Sequence, residues 1–119
     1  MDEAELADLD YCYVTTTGRR SGRPNTIEIW FALHGDRVYL LSGGGEGSDW
    51  VRNLQASPTV GLRIGHRDMI CRAALVEDPE EDELARRLLV EKYQPKYSGD
   101  LDEWRRSSLP VVIELPGSG

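Results

Sequence analysis

The segment TTTGRRSGRPNT, residues 15–26, gathers Arg19, Arg20 and Arg23 around Ser21 and two glycines. Guanidinium groups fork onto phosphate or carboxylate oxygens, and a tight turn lets two of them converge on one anion, with a serine hydroxyl as a further donor. Such a turn is either an anion site or a solvated loop whose arginines pair with an acidic surface. A second glycine-rich stretch holds Gly43, Gly44, Gly45 and Gly47 but lacks the G-x-G-x-x-G spacing of a dinucleotide fold. It permits two readings: backbone N–H groups approaching a ligand beside a helix N-terminus, or a connection that needs positive φ angles.

Other chemistry has little to work with. His34 and His66 fall in expected hairpin turns, and nothing in their spacing to Ser or Cys suggests a nucleophile and its base, so a hydrolase is disfavoured. Cys12 and Cys71 belong to no Cys-x-x-Cys or Cys/His cluster. They read as small buried side chains in a reducing compartment, and no metal is expected. The run EDPEEDEL at residues 77–84 lacks the alternating spacing of a calcium loop, whereas acids suit the start of a helix.

Charge narrows the ligand further. Of 119 residues with a formal net charge of −7, residues 1–10 carry five acids and no base, and residues 77–119 carry eleven acids against six bases. Only residues 11–76 are net basic, with eight bases against five acids. Nucleic-acid binding needs a broad basic face, so a nucleic-acid partner is not expected. A focused positive locus in an acidic protein suits a small anionic ligand. The length fits a single domain, 1–119, with residues 1–10 as an acidic lead. No apolar run approaches a membrane span and MDEAELADLD is unlike a signal peptide, so a cytoplasmic protein without stable membrane insertion is expected.

These residues must be positioned by β-strands. YCYVTTTG (residues 11–18) is β-branched and aromatic and ends in the basic turn. TIEIWFAL (26–33) alternates, with Ile27, Ile29, Phe31 and Leu33 on one face and Thr26, Glu28, Trp30 and Ala32 on the other. HGD turns the chain into RVYLLSG (37–43), and HRD joins TVGLRIG (59–65) to MICRAALV (69–76). LPVVIEL (109–115) is the last of six strands. Ser48 is the expected N-cap of a short helix Asp49–Ala56, and a longer helix starts at Pro79 with Leu84, Leu88 and Leu89 on one face. Mostly antiparallel neighbours of this kind predict a closed or partly closed barrel. Its interior candidates are Ile27, Ile29, Phe31, Leu33, Val38, Leu40, Val60, Leu62, Ile64, Val111 and Ile113. Trp30, Trp50, Trp104, Tyr93 and Tyr97 are the notable aromatic residues. Trp30 either lines a groove for a flat ring or, with Trp50, packs the small helix on the barrel.

The turn T-T-G-R-x-S-G-x-P and the helix W-x-x-N-L-x-x-x-P, followed by YQPKY and DEWRRSSLPVVIEL, resemble the deazaflavin-dependent nitroreductases, also described as coenzyme F420-dependent quinone reductases. The resemblance covers about residues 13–115. It implies a mainly β fold, a six-stranded antiparallel split β-barrel of the FMN-binding type with two or three short helices. It also implies a groove that takes reduced coenzyme F420, with the anionic tail on the basic turn and the ring against the barrel. By this likeness Arg19, Arg20 and Ser21 match the phosphate-binding turn. Asn25, Thr26, Ile27, Glu28, Ile29 and Trp30 match the strand along the cofactor. Leu41, Ser42, Gly43 and Gly44 match the strand end beside ring and tail. Asp49, Trp50, Val51, Arg52 and Asn53 match the start of the small helix, and Tyr97 matches a tyrosine near ring and substrate. The implied reaction is hydride transfer from C5 of reduced deazaflavin to an electron-poor acceptor such as a quinone, activated alkene or nitroaromatic, with Tyr97 or an ordered water supplying a proton. The family often has lysine where Gly44 falls and arginine where Asn25 falls, so less positive charge is expected here. Two alternatives stay open: a reductase that uses FMN, and a non-catalytic protein that binds flavin or deazaflavin. Related barrels pair, so a homodimer is expected.

Overall fold

The computed structural model describes residues 3–116. Four helices and seven strands occur among them: α1 (Glu3–Ala7), β1 (Cys12–Thr17), β2 (Pro24–Ile29), β3 (Ala32–His34), β4 (Arg37–Ser42), α2 (Asp49–Ala56), β5 (Thr59–Ile64), β6 (Arg67–Leu75), α3 (Pro79–Tyr93), α4 (Asp102–Ser107) and β7 (Leu109–Glu114). The strands form one antiparallel sheet in the order β2-β1-β5-β6-β7-β4-β3. Three hairpins build most of it. Two of them turn on glycine at φ values of 62° and 60°, at Gly35 and Gly65, where a two-residue turn needs the left-handed region that other residues resist.

The mainly β barrel expected from the sequence is what forms, with one strand more than the six expected. TIEIWFAL does not run through as one strand. It breaks at Trp30-Phe31, so that β2 pairs with β1 on one edge of the sheet while β3 pairs with β4 on the opposite edge. Ile29 and Ala32 are three residue steps apart, about 10 Å at full extension. Opposite edges joined by so short a link must curl towards each other, which makes a barrel with a seam. The break is stabilised from α3. The Phe31 N–H donates to the Tyr93 hydroxyl at 3.0 Å, and the Phe31 carbonyl accepts from Lys92 Nζ at 3.0 Å. Backbone groups that leave the ladder at a buried position must find other partners, and here they do.

The barrel interior holds Val14, Phe31, Val38, Leu40, Val60, Leu62, Ile64, Val111 and Ile113, closed by Val51 and Leu54 of α2. Ile27, Ile29 and Leu33 are half-buried and pack against this core. A second layer lies outside the barrel, where Ala85, Leu89 and Tyr93, four residues apart on α3, cover Ala32, Tyr39, Leu41 and Val112. β4 and β7 are therefore buried on both faces, which explains their unbroken apolar sequences. α3 begins as its sequence suggests: Asp78 accepts from the Glu81 N–H at 2.9 Å, and Pro79 fills the first turn. Four helices stand where two or three were expected, because α1 and α4, of five and six residues, are too short to show a period. No helix among the described residues is long and apolar enough to cross a membrane. Both cysteines are buried, and burial pushes the Cys12 thiol up to about 12.

Candidate functional site

The β1–β2 connection is a compact loop. The Gly18 N–H donates to the Arg23 carbonyl at 2.8 Å and the Gly22 N–H to the Gly18 carbonyl at 2.8 Å, with Gly22 at φ 72°. A Cβ at Gly18 would lie 2.6 Å from Ser21 Oγ and 3.2 Å from the Arg23 carbonyl oxygen, so a larger residue there requires Ser21 to turn away and the loop to give slightly. Ser21 Oγ accepts from the Arg23 N–H at 3.2 Å, and Asn25 Nδ2 donates to the Arg23 carbonyl at 3.2 Å. Both side chains thus shape the turn as well as face its groove.

α2 holds this turn in place. Asn53, buried at 4% exposure, accepts through Oδ1 from the Arg19 backbone N–H at 3.2 Å and from Arg19 NH1 at 2.9 Å. Its Nδ2 donates to Thr16 Oγ1 at 3.2 Å. Asp49, one helical turn earlier on the same face, accepts from Arg19 NH2 at 3.2 Å. Arg19 is thereby fixed with a defined direction, while Arg20 is exposed and has no carboxylate partner among the described residues. The spacing W-x-x-N-L has a physical meaning: Trp50 packs on the barrel core, Asn53 locks the turn, and Leu54 fills the barrel.

A groove of about 480 Å³ opens over this arrangement, lined by Thr16, Gly18, Arg19, Arg20, Ser21, Asn25, Thr26, Ile27, Asp49, Trp50 and Asn53. Nine of the residues singled out from the sequence meet here; Thr16 and Gly18 join them. Thr16 could have been noticed as the inward residue of the alternating TTT. Arg23 is exposed and does not line the groove. The remaining candidates do not line the groove either. Glu28 accepts from the Tyr13 hydroxyl at 2.8 Å on the outer face of the sheet, which pushes that hydroxyl above the usual tyrosine range. Ile29 faces the barrel core, and Leu41 and Val51 are buried, so these three can offer a ligand little besides backbone. Arg52 Nε donates to the Glu46 carbonyl at 3.2 Å, tying α2 to the glycine-rich loop.

In that loop Ser48 takes the N-cap position, but its hydroxyl lies 3.0 Å from Ser42 Oγ and does not cap the helix. Ser42, buried, donates to the Gly45 carbonyl at 3.1 Å. Gly43 and Gly44 are exposed. A Cβ at Gly44 would lie 2.4 Å from Ser48 Oγ, so a larger residue there requires Ser48 to turn away.

At the other end of β2 stands an aromatic cluster. Trp30 stacks on Tyr93 with ring centres 4.2 Å apart and planes within 1°, and meets Tyr97 and Trp104 edge-on at 5.9 and 5.6 Å. Trp30 therefore packs against α3 and α4, and of the two tryptophans only Trp50 joins Val51 and Leu54 in packing α2 on the barrel. Tyr97 remains exposed. β2 spans six residues, about 20 Å, between the basic turn and this cluster. One strand thus runs from a polar, cationic end to an aromatic one.

The sequence model of the F420H(2)-dependent quinone reductase family matches residues 3–116. The chain belongs to that family. It is accordingly an F420-dependent oxidoreductase, with coenzyme F420 as its cofactor. Solved structures agree on the fold. One is an F420-H2 dependent reductase, 24% identical, with a TM-score of 0.69 over 88% of this chain and 93% of that one. A conserved hypothetical protein from Mycobacterium tuberculosis is 22% identical, with a TM-score of 0.74 over 98% and 81%. A structure described as a domain-swapped dimer is 26% identical, with a TM-score of 0.70 over 88% and 79%. The groove suits such a cofactor chemically: Arg19, Arg20, Ser21 and Asn25 present donors to an anionic group, and Ile27 and Trp50 present apolar surface beside them.

Proposed function

We propose that this reductase reduces an electron-poor acceptor, a quinone, activated alkene or nitroaromatic, at the aromatic end of β2, while the basic turn anchors the cofactor's anionic tail. Coenzyme F420, when bound in its reduced form, supplies a hydride. The observation that carries this reading is the fixed Arg19 beside the free Arg20 in one groove, because rigid donors bind an anion without first being ordered. In this reading Asn25, Thr26 and Ile27 run beside the cofactor, continued by Glu28, Ile29 and Trp30. Leu41, Ser42, Gly43 and Gly44 approach it through backbone, and Asp49 to Asn53 set the far wall.

The acceptor needs a proton as well as a hydride, and Tyr97 is the exposed hydroxyl at the aromatic end. It is the proposed donor. The protein also pairs with a second copy in this proposal. Support comes from the outer face of the sheet, where Tyr13 and Ile70 are exposed on β1 and β6, and from the relative described as a domain-swapped dimer.

Titration of the protein with coenzyme F420, and separately with FMN, followed by fluorescence, tests the anchor. Saturable binding of F420 is expected, weakened about tenfold or more when Arg19 and Arg20 are both replaced by Ala, since each charged hydrogen bond contributes about 1.5–3 kcal/mol. Unchanged affinity in the double variant would refute the anchor, and preference for FMN would reassign the groove to a single phosphate.

A further inference from the structure

We propose that Asp49 sets the charge selectivity of the groove: its carboxylate competes with an incoming anion for Arg19, so the site favours one compact anionic group over a tail carrying several charges. The inference rests on the reading of the groove as an anion site. Arg19 is held from two sides. Asn53, buried, takes NH1 from beneath, whereas the Asp49 carboxylate, with its side chain 84% exposed, takes NH2 from the solvent side at 3.2 Å. An anion entering the groove approaches from that same side. Asp49 is also a groove-lining residue, so the charged side chains in the wall are two arginines and one carboxylate. The wall keeps one net positive charge.

An exposed carboxylate in a surface ion pair is weakly held and can give way to a first anionic group. It does not leave the groove, because it is anchored one residue into α2. Each further negative charge on the ligand then meets it at short range without a second fixed arginine to offset it. Arg20 alone remains, and it has no fixed geometry of its own. Asp49 also occupies the first turn of α2, where a carboxylate offsets the positive end of the helix. The same side chain therefore removes two attractions that a polyanionic tail would otherwise use.

The test is Asp49→Asn, which keeps an oxygen acceptor for Arg19 NH2 and removes only the charge. Binding is measured by fluorescence for F420 with one glutamate, for F420 with a long glutamate tail, and for the neutral deazaflavin nucleoside core without phosphate. The expected result is a gain of roughly fivefold for the short tail, the worth of one unit charge at about 4 Å in water. A larger gain is expected for the long tail, none for the neutral core, and the differences should shrink at high salt. Weaker binding in the variant would overturn the proposal, since Asp49 would then be positioning Arg19 for the ligand. Equal gains for charged and neutral ligands would overturn it too. Arg20→Ala separates this from the parent reading: if Arg20→Ala weakens F420 binding while Asp49→Asn changes nothing, the anion groove stands and the role of Asp49 falls. If the wild-type protein shows no preference for anionic over neutral ligand, both fall together. A thermal melt of each variant confirms that the fold is retained.

Discussion

Asn53 joins residues that are far apart in the chain. Its amide satisfies the Arg19 backbone, the Arg19 guanidinium and the Thr16 hydroxyl at once, with Asn53 and Thr16 both buried at the base of the groove. Asn53→Ala would leave those partners short of bonds at a cost of about 1–3 kcal/mol, read as a lower denaturant midpoint, and would weaken F420 binding by freeing Arg19. Normal binding in a destabilised Asn53→Ala protein would show that Arg19 needs no fixing. At the aromatic end, Tyr97→Phe keeps the ring against Trp30 and removes the proton. A fall in kcat/KM of about 10²-fold with unchanged F420 affinity is the expected outcome for a proton donor. An unchanged rate would hand that role to water. Arg19 could be picked out from residue type, and Asp49, Trp50 and Asn53 through the resemblance to the family. That Asn53 is a buried lock, and that Ser48 bonds to Ser42 instead of capping α2, depends on contacts that no local pattern encodes.

Among the elements, the hairpins and the limits of α2 were legible, because turn glycines and the Ser-Pro stop are local signals. The break between β2 and β3 was not. Ile27, Ile29, Phe31 and Leu33 alternate without interruption, and the groups that end the strand come from Lys92 and Tyr93, about sixty positions later. Lys92 also donates to the Leu9 carbonyl at 2.7 Å and sits over the Phe31 ring, so α3 ties the N-terminal segment to the strand break. Burial, with Lys96 adding repulsion, lowers the Lys92 ammonium to about 8, while Asp10 and Asp8 oppose the shift. In the unfolded chain the same amine titrates near 10.4. Between those values the unfolded state binds more protons, so the Lys92 contribution makes stability rise with pH across that window and stay constant below it. Cys12 and Tyr93, both raised by burial, act in the opposite sense at the alkaline end. The difference between the wild-type protein and Lys92→Met isolates the lysine: the wild type should gain stability relative to the variant from pH 8 to 10. A constant difference would mean that the amine is not held as a buried charge.

For the whole molecule, the barrel followed from the count and alternation of strands, but its layered construction did not. β4 and β7 read as ordinary apolar strands, and only the packing of α3 shows why both of their faces are apolar. The opposite part of the sheet presents Tyr13 and Ile70 to solvent. If that face joins two copies, light scattering should give twice the chain mass of 13.4 kDa, and Ile70→Asp should return it to a monomer. A monomeric wild type would rule the pairing out.

The strand order has a further consequence, for the timing of folding on the ribosome. β2-β1-β5-β6 and β4-β3 are two separate half-sheets, and β7 is the strand that pairs with both, through β6 on one side and β4 on the other. A nascent chain can form its hairpins early, since those pairings are local. It cannot join the halves until residues 109–114 have left the exit tunnel. Until then β4 and β6 each present an unpaired edge. The interval between the synthesis of β6 and the release of β7 is therefore when this chain is most open to pairing with the wrong neighbour.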